Sequence, residues 1–176
     1  MRALLESRAP AATVLVRLAV GSIFLSEGIQ KFLFPDLLGA GRFARIGIPA
    51  PEILGPFVGA VEILCGVLVL AGLLTRLAAL VLFVNISVAL VSTKVPILLG
   101  REFLVFHLPK VARYGFWGMA SEARTDLAML LGTLFLAIAG AGPLSLDRAF
   151  SARAPGSAPG AAESAFSVGA ERTSPP

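Results

Sequence analysis

The chain has 176 residues, of which 56% are hydrophobic and only 15% charged, with a formal net charge of +4. A water-soluble domain of this balance would expose too much contiguous apolar surface, so the composition points to a bilayer as the solvent. The basic residues lie at segment ends and in loops, not along one stripe, which excludes nucleic-acid binding and reads as membrane-surface charge.

Cys65 and His107 are the only residues of their kinds. No internal disulfide, iron–sulfur ligation or bis-histidine haem can be built from them. No metal-binding spacing and no phosphate-cradling glycine motif is present either. Any redox chemistry therefore needs a diffusible cofactor or one held by a partner.

The first apolar run follows Arg2 and Arg8 but is too long for a signal-peptide core and carries charges, so it is expected to stay as a helix. Residues 12–34 form the first predicted span. Arg17, Glu27 and Lys31 fall within about 80° of one another around this helix and define a charged side facing the bundle. Glu27 and Lys31 stand four apart in the favourable order. Residues 35–51 are rich in proline and glycine, so no continuous helix fits, and a short helical piece is expected over 41–46.

The second span covers 52–74 and places Glu62 near its middle. An acid at that depth costs about 2.5–3.5 kcal/mol on insertion scales and needs a partner. Gly59, Glu62 and Gly66 share one face, and the Gly55-xxx-Gly59 pair lets another helix approach closely. A tight turn at Thr75-Arg76, with Thr75 as N-cap, leads into a third span over 76–99. Asn85 and Ser92 lie on one face of that span and read as interhelical hydrogen-bonding groups. Residues 100–124 mix aromatic and basic side chains, the composition of a headgroup-level segment. A fourth span is expected over 125–142, opened by Asp126 and closed by Gly140, Gly142 and Pro143. The predicted organisation is thus a segment 1–11, an all-α integral membrane four-helix bundle over 12–148, and a disordered tail over 149–176. An even number of spans puts both termini on the same side, and the positive-inside rule is close to a tie.

Three motifs recur in order: Arg17-xxx-Gly21-xx-Phe24-xxx-Gly28-xx-Lys31, then Glu62-xxx-Gly66 with Gly72-Leu-Leu-Thr75-Arg76, then Gly140-Ala-Gly142-Pro-Leu-Ser145-Leu-Asp147. Together they resemble the DoxX family of small four-helix bacterial membrane proteins. The resemblance covers residues 14–148 and implies an inner-membrane bundle with both termini cytoplasmic. It also implies association with respiratory or oxidative-stress systems, since members are related to a subunit of an archaeal thiosulfate:quinone oxidoreductase.

Arg17, Glu27, Lys31 and Glu62 are the candidate intramembrane polar site, with Arg76, Asn85 and His107 as secondary candidates. Two readings stay open. In the first, the chain is the anchor or a subunit of a quinone-linked oxidoreductase or oxidative-stress complex. It then offers a quinone pocket, while redox partner proteins hold the other centres. In the second, it is a non-redox membrane protein: a small-solute or proton pathway, which would require a homo-oligomer, or an assembly factor. An enzyme acting alone is disfavoured, because no nucleophile–base pair or metal constellation is visible.

Overall fold

The computed structural model describes residues 9–153. Eight helices occur among them: α1 (Thr13–Leu33), α2 (Pro35–Leu38), α3 (Ala40–Arg45), α4 (Pro51–Ala71), α5 (Thr75–Leu99), α6 (Phe116–Glu122), α7 (Arg124–Ala139) and α8 (Leu146–Arg153). No strand forms among the described residues beyond an isolated bridge between Phe103 and Phe106. Residues 1–8 of the expected segment 1–11, and the part of the expected tail beyond 153, lie outside the described residues. From 149 to 153 the chain is still helical, within α8.

Four helices, α1, α4, α5 and α7, build the bundle. The boundaries follow from local chemistry. Phe34 precedes a proline and leaves the helical region at φ −129°, which ends α1. Pro51 opens α4 at its first turn, where a missing N–H costs nothing. Gly72, at φ 68°, closes α4, and the Leu73 N–H bonds back to the Leu68 carbonyl at 3.0 Å, so the last turn's carbonyls are satisfied.

α1 packs most extensively on α4, and α5 on α7. Glycine decides the first pairing. A Cβ at Gly28 would stand 2.7 Å from the Gly59 carbonyl, and one at Gly66 would stand 2.9 Å from the Leu25 nitrogen. The two backbones therefore touch, as the small-xxx-small pattern anticipates. Gly55, the other member of that pattern, instead admits Ala40 of α3. Val20, Val69, Ala79, Leu82 and Leu136 form a sealed apolar layer between the four helices. Leu18, Leu64, Leu80 and Leu131 are exposed on the outside, the surface that lipid covers.

The sequence expected four crossings, and this is corrected. Among the described residues three helices, α1, α4 and α5, are long and apolar enough to cross a membrane. α7 has 16 residues, a rise of about 24 Å at 1.5 Å per residue, against about 30 Å of hydrocarbon. Its end is early because Gly140 adopts φ 83°, outside the helical region, before the expected stop at Gly142. α6 leads into α7 through Ala123, so part of the segment expected at headgroup level is helical.

A second correction concerns the α4–α5 turn. Thr75 is the first residue of α5 and not its cap, and its hydroxyl has no partner among the described residues. The cap comes from far along the chain: the Asp147 carboxylate accepts from the Leu74 N–H at 2.7 Å and the Thr75 N–H at 3.1 Å. A negative group at this position also suits the helix dipole.

Candidate functional site

The four charges expected to form one site fall into two. Arg17 stands near the start of α1, 14 residues before Lys31, which along a helix is about 21 Å. Its guanidinium is buried and donates to four backbone carbonyls: Nε to Val69 at 2.9 Å, Nη2 to Leu70 at 2.6 Å, and Nη1 to Ala141 at 3.2 Å and Leu144 at 2.5 Å. Those carbonyls belong to the end of α4 and to the turn after α7, where helix termini leave acceptors unfilled. Asp147 lies within electrostatic reach. Arg17 is therefore a staple that ties the chain ends of the bundle, and it does not share a site with Glu62. Arg76 is half-buried at the same end, in the first turn of α5.

The other three charges meet. Lys31, in the last turn of α1, places Nζ 2.5 Å from Glu62 Oε2 and 3.9 Å from Glu27 Oε2. Glu62 Oε1 accepts from Asn85 Nδ2, on α5, at 2.8 Å. Glu62 is buried, the Lys31 side chain is 9% exposed and that of Glu27 is 47% exposed. The mid-helix acid thus has both oxygens engaged, which is the pairing its depth demands. Lys31 has N–H donors beyond the one on Glu62. Asn85 has a second N–H and a carbonyl oxygen with no other described partner. Asn85 was a secondary candidate, and the fold brings it into this cluster. Ser92, expected to bond another helix, instead bonds back to Ala89 on its own helix at 3.2 Å. His107 is exposed in the loop after α5, with Nδ1 3.1 Å from Glu102 Oε1, and stands apart from the cluster.

Beside the Lys31–Glu62–Asn85 cluster lies a cavity of about 480 Å³, in the size range of small-molecule sites. Most of its wall is apolar, with Ile23, Phe24, Val58, Val61 and Met129 among the lining residues. α3 and the chain after it roof the cavity through Arg42, Phe43, Ile46 and Ile48. Phe57, Val84 and Val88 line it and are also well exposed, so the wall reaches the lipid-facing surface between α4 and α5. At its far side Asp126, in the first turn of α7, lines the wall and pairs with Lys94 of α5 at 3.0 Å. Sequence reasoning read Asp126 only as a dipole partner and passed over Arg42. Neither residue lies within an apolar run, so no depth argument drew attention to them. Asp147 was visible only as the last residue of the third motif.

A family model described as DoxX matches residues 12–95, from α1 to the last turns of α5. A Mycobacterium tuberculosis protein named "Uncharacterized membrane protein Rv3486" is 52% identical over 151 residues, covering 86% of this chain and 88% of that protein. The chain belongs to the DoxX family. A Haemophilus influenzae relative named "Uncharacterized protein" is 32% identical over 149 residues, covering 83% of this chain and 96% of its own length. A Bacillus subtilis relative named "Putative oxidoreductase CatD" is 28% identical over 136 residues, covering 77% and 84% of the two chains. No solved structure matches this DoxX-family chain significantly. Family membership, three membrane-length helices and the apolar exterior together make it an integral membrane protein in contact with lipid.

Proposed function

We propose that this DoxX-family protein is the membrane subunit of a quinone-linked oxidoreductase or oxidative-stress system, and that its cavity takes the quinone ring. One observation carries the reading: a largely apolar cavity, open toward lipid, in which Lys31, Asn85 and Glu62 converge as the polar end. A quinone asks for such a site. Its ring and isoprenoid tail need apolar walls and access from the bilayer, and its oxygens need donors. Lys31 and Asn85 have N–H groups beyond those engaged by Glu62. Glu62 orients both donors and supplies a group able to exchange a proton with a bound oxygen atom. The name of the Bacillus subtilis relative agrees with an oxidoreductase role. Partner proteins of the complex hold the remaining redox centres, and the bundle sits in the inner membrane.

A conduction role is less well supported. The layer of Val20, Val69, Leu82 and Leu136 closes the half of the bundle beyond the cluster, which suits a dead-end pocket better than a path.

The test is photolabelling with an azido-quinone of the full chain, purified in nanodiscs of its native lipid. Label is expected on α4 and α5 around Glu62 and Asn85, with about five- to tenfold less in Asn85→Leu, the effect of one lost hydrogen bond. Label spread over the lipid-facing surface, and equal in Asn85→Leu, would refute the proposal.

A further inference from the structure

The roof of the cavity carries a charge that nothing in the bundle uses. α3 has two arginines, and they behave differently. Arg45 is committed to the chain itself, donating to the Asp36 carbonyl at 2.7 Å and the Leu37 carbonyl at 2.8 Å. Arg42 is half-buried, lines the cavity, and has no hydrogen bond or ion pair among the described residues. The acids on the same wall do not supply one. Asp126 is paired with Lys94 at 3.0 Å, and Glu27 and Glu62 both face Lys31. The lining acids thus face Lys31 and Lys94, and the Arg42 guanidinium on the roof is left with no direct partner among the described residues.

A guanidinium is a planar fork of donors matched to carboxylate or phosphate, and holding one half-buried beside an apolar wall favours an anion against it. The same cavity is lined by Phe43, Ile46 and Ile48 from the roof and by Leu54 and Phe57 from α4. That is a surface for a hydrocarbon chain. We propose that Arg42 is the anion subsite for an acidic amphiphile, whose carboxylate or phosphate meets the guanidinium while its acyl chain lies along the cavity. The shared chemistry fits a free fatty acid and the headgroup of an anionic phospholipid. This subsite does not rest on the quinone reading. The two ligands would compete for the apolar wall, but each has its own polar anchor.

The experiment is native mass spectrometry of the full chain after gentle delipidation, with four added probes: oleate, methyl oleate, phosphatidylglycerol and diacylglycerol. One equivalent of oleate, phosphatidylglycerol or both should be retained, and the neutral counterparts should not. Retention of oleate alone names a free acid as the source, and retention of phosphatidylglycerol alone names a lipid headgroup. Arg42→Gln should weaken the acidic probe about tenfold or more, as loss of a charge-assisted hydrogen bond does, and Arg42→Lys should restore part of it. A diazirine-bearing oleate should crosslink to α3 and α4 in the wild-type protein, a readout that needs no variant to fold. Equal retention of neutral and acidic probes, unchanged binding in Arg42→Gln, or crosslinks confined to the outer surface would each overturn the proposal. Asn85→Leu, which should lower quinone labelling, should leave oleate retention intact, and Arg42→Gln should not lower quinone labelling. Failure of one reading is thereby separable from failure of the other.

Discussion

Replacing Arg17 by Met keeps an unbranched apolar stem and removes every donor of the guanidinium. Four carbonyls lose it, and they do not lose equally. Val69 keeps the Gly72 N–H at 3.1 Å, and Leu144 sits in an exposed turn where water can take over. The Ala141 bond is buried and the Leu70 bond part-buried, and their oxygens are the ones left short. An orphaned buried acceptor costs about 1–3 kcal/mol, so a loss of about 3 kcal/mol is expected. Exchanging a buried ionic network for hydrocarbon is sometimes neutral, but only when both partners are replaced. Here the partners are backbone carbonyls, which no substitution removes. The assay is reversible unfolding in mixed micelles by SDS titration, followed by circular dichroism. Asp147→Asn should couple to it in a double-mutant cycle by about 0.5 kcal/mol or more, because Asp147 faces the same guanidinium and caps α5. Quinone labelling of the Arg17→Met protein should be unchanged, since the site is about 21 Å away along α1. A stability change below about 0.5 kcal/mol would refute the staple. Lost labelling in a fully folded variant would return Arg17 to the site.

Two further outcomes follow from the same geometry. Lys31→Met alone leaves the buried Glu62 carboxylate with Asn85 only and should cost about 3–5 kcal/mol, while the double variant Lys31→Met with Glu62→Leu should recover most of that. The double variant separates architecture from function: its folding should return in SDS titration, but its quinone labelling should not. At the α1–α4 contact, Gly28→Ala places a methyl 2.7 Å from the Gly59 carbonyl and 2.8 Å from Ile63 Cγ1. Backbone faces it there, so the helices must part. A loss of about 2–3 kcal/mol in the same titration is expected, and a neutral result would mean the two helices are not in backbone contact.

The sequence by itself determined the solvent, the class and the need of Glu62 for a buried partner. Apolar runs of membrane length made the chain helical and membrane-bound, because a backbone in lipid must satisfy its own hydrogen bonds. Glu62, mid-run, announced a buried partner because an unpaired acid there is too costly, and Lys31 is the partner it meets. Glycines spaced along one face of the second span announced a close helix contact, and the fold made α1 the helix that supplies it. Helical phase around α1 also put Arg17 on the same side as Lys31, but phase says nothing of height. Only the fold, by setting which level of α4 each residue meets, sent Arg17 to the carbonyls at one end and Lys31 to Glu62. Local propensity named Thr75 as the cap of α5, yet Asp147, 72 residues later in the chain, took that role. Arg42 and Asp126 acquired meaning only when α3 was folded over the bundle, because a cavity is a property of several elements together and has no signature in any one of them. Short-range chemistry along one helix can be read from the chain. The heights at which helices meet are decided by packing.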